Sequence, residues 1–492
     1  MFRMRKDNKD GRIWTPANIV RLMLDFGGYD GVGVLRKHVI DNSCGNGAFL
    51  SQIVARYCEA YFKRFPGDVE GCQQELETYI HGIEINSDDC AECRERLDAL
   101  AYSFGIEDGV KWDIECGDTL TVNQFDGKMD YVFGNPPYIR VHNLNDRYSA
   151  IKNFDFASQG MTDIYLVFYE IGFKMLADRG TMCLITPSSW FGSVAGRKLR
   201  TYIRTTKMLS DVIDLEQNKV FNATTWTAIG KFQKGVEYNT VGYYTYSERK
   251  YGLSEAVFNE RLSYEDFDIK GNFHFADKKS CGLIRKIAEF ECDNTKAVKV
   301  RNGLSTQADE VFISNGSPLQ ITWGYLPIYK ASNGIPKRII FPYDAWMQPI
   351  PFSEFERLDN ERNGGKLSQH LLQYKDLLAS RQPEGKRDEF WHTYGRTQGL
   401  NDVPLRKIAV NNLFKDKESI KIQKLVPYFC VYSGYYITAS NLTDEDEEKI
   451  QNILQTDEFI NYVKALKHYK NGGFYYIRAK EMEEYINYKL SV

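Results

Sequence analysis

The first half of the chain alternates short β-rich apolar runs with helical stretches, and this alternation narrows its fold more than any other feature. The runs fall at His38–Asn42, Tyr79–Ile85, Trp112–Cys116, Met129–Gly134, Thr181–Thr186 and Val212–Leu215. Helical patterns fill Gly47–Phe62, Ser87–Tyr102 and Ile164–Leu176 between them. Strands separated by helices need crossover connections, which predicts a mainly parallel, doubly wound α/β sheet. A last pair of runs, Thr225–Gln233 and Thr240–Tyr246, flanks a Lys-Gly turn and reads as an antiparallel hairpin closing the sheet edge. Beyond about residue 250 the alternation fades into short segments rich in Tyr, Phe, Lys, Asn and Gly, with a helical tail from Glu445. At about 150 residues per domain, the 492 residues divide into an α/β domain at 1–245 and a mixed α+β domain at 246–492.

Composition excludes several classes. Apolar residues make up 43% and charged residues 26%, enough for large cores without disulfide or metal staples. Mean hydropathy is -0.45 and no apolar run reaches the length of a membrane span. The first residues carry charge without an apolar centre, unlike a signal peptide. The ten cysteines are scattered, and Cys90 with Cys93 forms the single CxxC; inside an acidic helical pattern this reads as two packing thiols in a reduced, cytoplasmic protein. Net charge is -3, but the balance runs +3 over 1–50, -10 over 51–150 and +4 over 151–250. A polyanion would avoid the middle block and tolerate its neighbours.

The chemistry gathers at strand ends, where open α/β sheets bind ligands. The first run ends in Asp41-Asn-Ser-Cys-Gly-Asn-Gly47, whose glycines allow close approach of a ligand to the backbone. A dinucleotide fingerprint would need a third glycine at 50, where Leu50 stands. The second run ends in Glu84, whose two oxygens suit paired ribose hydroxyls, and the third in Asp118, an acceptor for an adenine amino group. The fourth ends in Asn135-Pro136-Pro137-Tyr138. Two prolines fix the backbone, so the Asn135 side chain and the Pro136 carbonyl are held as two neutral acceptors. Accepting both hydrogens of a planar exocyclic amine would free its lone pair to attack an electrophilic methyl group. Tyr138 offers a face on which a base can stack.

Over roughly residues 13–235 these segments resemble, in order, the gamma-class (TaqI-like) adenine-N6 DNA methyltransferases. The resemblance implies a Rossmann-like methyltransferase sheet, S-adenosyl-L-methionine as cofactor, double-stranded DNA as substrate and a flipped target adenine. Thr15 and Pro16 match the motif meeting the methionine part of the cofactor. Asp41, Cys44, Gly45, Gly47 and Phe49 match its glycine loop, Glu84 and Ile85 its ribose strand, and Asp118 and Phe168 its adenine pocket. Asn135, Pro136, Pro137 and Tyr138 match the catalytic motif, and Ile185–Trp190 a later structural one. Val220–Thr225 matches the loop whose aromatic packs on the extruded base, nominating Phe221. Asn42-Ser-Cys-Gly departs from the usual Pro-x-Cys-Gly but keeps the glycine.

The second half is expected to read the DNA target. Its basic candidates are Lys330, Lys337, Arg338, Arg396, Lys407, Lys415 and Lys417, with Arg396 at the centre of Tyr394–Leu400. A separate restriction endonuclease acting on the same site is the family's usual partner. Pro383–Lys386 is the one hint of a fused nuclease, and the chain is read as a methylase alone. Glutamine-N5 protein methyltransferases and guanine-N2 ribosomal RNA methyltransferases share the amine chemistry, yet they need no long second domain. A catalytically silent DNA-specificity factor is the non-enzyme alternative.

Overall fold

The computed structural model describes residues 14–139, 151, 153–160, 163–218, 220–221, 225–249, 253–293, 297–316, 322–381 and 388–492. The chain divides into two units, Met1–Gly282 and Leu283–Val492. The division comes later than the expected 245/246 because a ninth strand pairs back onto the first sheet.

In the first unit the described strands are β1 (Val39–Asp41), β2 (Ile80–Glu84), β3 (Asp113–Cys116), β4 (Met129–Gly134), β5 (Leu176–Pro187), β6 (Leu209–Asp214), β7 (Thr227–Gln233), β8 (Thr240–Arg249) and β9 (Leu253–Ser263). They form one sheet in the order β3-β2-β1-β4-β5-β7-β6-β8-β9. Strands β3 through β5 in that order are mutually parallel. The order reverses beside β1, which creates a crevice at the carboxyl ends of β1 and β4. Strand β7 runs antiparallel between β5 and β6. The edge hairpin is present, but β8 and β9 make it. The expected pairing of 225–233 with 240–246 is corrected: β7 lies inside the sheet, and β8 pairs parallel with β6.

Helices α1 (Ala17–Gly27), α2 (Ala48–Arg64), α3 (Val69–Tyr79) and α4 (Ser87–Ser103) cover one face, while α5 (Tyr165–Met175) and α6 (Arg197–Thr206) cover the other. Alternation along the strands divides the two cores: Val39, Phe133 and Ile213 enter the first, and Ile40, Val132 and Val212 the second. This is the two-sided burial of a doubly wound sheet. Asn86 fixes the start of α4, its side-chain oxygen accepting the Asp88 and Asp89 N–H groups at 3.0 Å, as an N-cap does. A two-residue ladder joins β10 (Asp268–Ile269) to β11 (Asn272–Phe273), and α7 (Lys278–Glu289) contains the division between units.

The second unit is mixed α+β, as expected. One four-stranded sheet runs β12 (Lys299–Asn302), β20 (Tyr435–Thr438), β16 (Lys407–Val410), β18 (Ile422–Leu425). The other runs β13 (Ile313–Ser314), β15 (Ile335–Ile340), β14 (Tyr325–Lys330), β19 (Cys430–Tyr432). Strands β17 (Leu413–Phe414) and β21 (Tyr475–Tyr476) form a short pair. Helices α8 (Phe352–Asn363) and α9 (Lys366–Gln373) precede a C-terminal set, α10 (Asp444–Leu454), α11 (Asp457–Ala465) and α12 (Ala479–Ser491). Among the described residues no helix is long and apolar enough to cross a membrane.

Candidate functional site

The site is assembled where β1, β2, β3 and β4 end. After Asp41 the chain turns through Gly45 and Gly47, at φ 52° and 86°, conformations that favour glycine. A Cβ on Gly47 would stand 2.8 Å from the Cys93 sulfur, and one on Gly45 would meet the Trp14 ring at 3.3 Å. The loop is tied to the next strands: the Cys44 N–H donates to the Ile83 carbonyl at 3.0 Å, and the Gly117 N–H to the Glu84 carbonyl at 2.9 Å. Thr119 closes the far side, its hydroxyl donating to the Asn42 carbonyl at 2.7 Å.

Glu84 is the hub. Its Oε2 accepts the Gly45 N–H at 2.9 Å and its Oε1 the Asn86 N–H at 2.8 Å. Each carboxylate oxygen has a second lone pair for a diol. Asp41 is 1% exposed. Burial lifts its carboxyl to about 7, with the nearby Glu84 charge adding and the Ser43 N–H at 3.1 Å opposing. Half-buried Asp118 accepts the Leu120 N–H at 3.1 Å. Ile85 stands exposed, whereas Phe49 and Phe168 are buried in the two cores, one on each face of the sheet. Cys44, Cys90 and Cys93 are buried as well.

Asn135 leaves β4 beside this loop. Its Nδ2 donates to the Thr15 hydroxyl at 3.1 Å, which places the amide carbonyl opposite. The Ser43 hydroxyl donates to the Asn135 carbonyl at 3.4 Å, joining the ends of β1 and β4. Thr15 is positioned by Pro16, whose carbonyl accepts the Ile19 and Val20 N–H groups of α1 at 2.9 and 3.0 Å. Tyr138 donates to the Ile185 carbonyl at 3.1 Å, and burial raises its phenol well above its usual range, so the ring stays neutral. The Phe221 ring meets the Tyr138 ring edge-on, centroids 6.4 Å apart. The later motif supports this corner: Thr186 bonds Tyr169 at 2.8 Å and Ser189 bonds Tyr165 at 3.1 Å.

The sequence-predicted strand-end residues are thus brought together. The reading missed Trp14, Ser43, Asn86 and Thr119, each adjacent to a motif residue but silent without the strand register.

Residues 73–221 match the Eco57I restriction-modification methylase family. The chain is similar to the type II methyltransferase M.BstVI of Geobacillus stearothermophilus, 23% identical across 77% of this chain and 73% of that protein. It is also similar to the type II methyltransferase M.XhoI of Xanthomonas vasicola, 23% identical across 96% of this chain and 89% of that one. Among solved structures, the type IIL restriction-modification enzyme MmeI in complex with DNA aligns at TM-score 0.59 and 12% identity. That alignment covers 94% of this chain and 63%, under two thirds, of MmeI. S-adenosyl-L-methionine is the cofactor of this methylase fold, and the glycine loop with its Glu84 brace fits a nucleoside with a charged tail.

In the second unit the basic candidates separate. Lys415, Lys417 and Arg396 are exposed. Lys330 and Arg338 lie over the Tyr432 and Tyr325 rings at 6.0 and 4.5 Å, and Lys337 is half-buried on β15. Lys407 is corrected as a DNA contact. It is 2% exposed, and its ammonium donates to the Val403 and Phe429 carbonyls, both at 3.1 Å. Pro383–Lys386 and residues 222–224 lie outside the described residues.

Proposed function

We propose that this methylase transfers a methyl group to the exocyclic N6 of an adenine in double-stranded DNA, the target nucleotide being turned out of the helix. The supporting observation is the fixing of Asn135-Pro136-Pro137-Tyr138 at the end of β4 by Thr15 and Ile185, next to the glycine loop held by Glu84. When bound, S-adenosyl-L-methionine supplies a methyl group already activated by its sulfonium, so the protein's task is alignment in a dry pocket.

Each residue then has a defined task. Glu84 and Asp118 hold the ribose and adenine of the cofactor, and Asp41 faces its charged amino-acid end. The Asn135 side-chain oxygen and the Pro136 carbonyl accept the two N6 hydrogens, which localises the nitrogen lone pair. The Tyr138 ring takes the base on its face, and Phe221 closes the edge. Base stacking of this kind returns about 1–3 kcal/mol against the few kcal/mol spent on extruding the base. The second unit reads the target, the protein works in the cytoplasm, and a separate restriction endonuclease for the same site is its partner. Alignment along most of M.BstVI and M.XhoI, both named as methyltransferases, supports the methyltransferase reading itself.

The test is tritiated S-adenosyl-L-methionine with unmethylated DNA, followed by nucleoside analysis. Label in N6-methyladenine is expected, and none with Asn135→Ala while cofactor binding is retained. Label in cytosine or in protein, or near wild-type turnover by Asn135→Ala, overturns the reading.

A further inference from the structure

In the second unit two loops far apart in sequence form one rigid ledge. One loop follows β12 through Asn302–Gln307; the other is Tyr394–Gln398. The Gly395 N–H donates to the Thr306 carbonyl at 2.9 Å and the Arg396 N–H to the Ser305 carbonyl at 3.3 Å. The Gln398 side chain donates to the Gly303 carbonyl at 2.8 Å. Both loops are anchored from behind. The Leu304 N–H donates to the Val431 carbonyl at 2.7 Å. The buried Arg381 guanidinium donates to the Thr306, Trp391 and Thr393 carbonyls at 2.5, 3.1 and 2.7 Å.

Two close approaches show what this anchoring serves. A Cβ on Gly395 would fall 2.0 Å from the Gln307 side-chain oxygen, so Gln307 lies against the second loop because residue 395 has no side chain. Gln307 itself has φ 58°, a strained backbone for a non-glycine residue and one that functional sites retain. The outward side chains are Asn302, Gln307, Arg396 and Thr397, all exposed. Arg301 beside them is paired with Asp402 at 3.2 Å, whereas Arg396 has no carboxylate partner among the described residues.

We propose that this ledge, with Gln307 and Arg396 at its centre, reads base edges of the DNA target. The proposal rests on the DNA-methyltransferase reading above and deepens it. Phosphate contacts draw their affinity mainly from clustered cations and carry no sequence information. The ledge holds a single uncompensated cation among neutral amides and a hydroxyl, on a backbone locked from both sides. A glutamine amide pairs bidentately with adenine and an arginine fork with guanine, and such pairs discriminate only when held in place.

The experiment maps the methylated motif by single-molecule sequencing of an unmethylated DNA library. It uses wild type, Gln307→Ala, Arg396→Ala and Arg396→Lys, with melting temperature and cofactor affinity confirming each fold. Wild type is expected to modify one motif. Both Arg396 variants should lose discrimination at one position by roughly 5- to 150-fold, the lysine failing because it keeps the charge and loses the fork. Gln307→Ala should relax a different position. An unchanged motif in all variants, or a uniform loss of activity across sequences with Arg396→Lys restored to wild type, overturns the ledge and leaves at most a phosphate contact. A wild type that methylates no DNA overturns the functional reading on which it rests.

Discussion

Glu84 and Gly45 lock the end of β2 to the turn after β1, the carboxylate accepting the loop N–H at 2.9 Å while its other oxygen takes Asn86 at 2.8 Å. Glu84→Gln keeps one acceptor but turns an amino group toward one of these donors. Hydrogen bonds to a charged group contribute about 1.5–3 kcal/mol, so cofactor affinity should weaken roughly 10- to 100-fold with a small drop in melting temperature. Calorimetric titration measures it; an unchanged affinity would reduce Glu84 to a structural brace.

On the proposed reading, Asp41 should make cofactor binding depend on pH. Its carboxyl is lifted from 3.8 to about 7 in the folded protein, so the unfolded chain ionises first. The buried group therefore costs stability increasingly as pH rises from about 4 to about 7, and the cost stays in full above that. Asp41→Asn should raise the melting temperature of the cofactor-free protein most at pH 8 and not at all near pH 4. A cationic ligand favours the ionised carboxylate, so wild-type affinity should rise with pH toward 7, with proton release at pH 6 seen by titration in two buffers. Asp41→Asn should flatten that profile.

The four strand ends were legible because buried parallel strands are apolar runs that stop abruptly at Gly, Pro or a charged residue. Asp41, Glu84, Asp118 and Asn135 each sit at such a stop. What joins them was not legible: Glu84 and Gly45 are brought together by the register of β1 on β2, where Asp41 faces Gly82. The pairing of β7 was misread because two β-rich runs around a short turn look like a hairpin whichever neighbours they take. Helix α1 was missed because Ile19, Val20, Leu22, Met23 and Leu24 are nearly continuous, which hides the helical period. Helix α6 was missed because only Leu199 and Ile203 mark an apolar face in a basic segment.

Tyr138 separates stacking from scaffolding. Tyr138→Phe keeps the ring and loses only the bond to the Ile185 carbonyl at 3.1 Å, a contribution of about 1 kcal/mol to stability; turnover should stay within a few-fold of wild type. Tyr138→Ala removes the face itself and should cost about 1–3 kcal/mol of base capture, read as lost quenching of 2-aminopurine at the target position. Fluorescence unchanged by the alanine would make the ring structural.

Lys407 and Lys415 are eight residues apart in a basic segment, and the structure predicts opposite phenotypes for them. Lys415 is exposed, so Lys415→Ala should leave melting unchanged; where it meets a phosphate, the salt slope of DNA binding should fall by about 0.9. Lys407→Ala should leave that slope alone and destabilise the fold, on the order of 1–3 kcal/mol, because the Phe429 carbonyl loses its ammonium donor and the Val403 carbonyl keeps only the Tyr428 N–H. Burial pushes the Lys407 ammonium down from 10.5 to about 8. Between those values the unfolded chain binds the extra proton, so this lysine contributes more stability as pH climbs through that window. The melting deficit of Lys407→Ala should therefore widen from pH 7 to pH 10. A deficit that narrows over that range, or a DNA-binding defect without a melting defect, would return Lys407 to the surface.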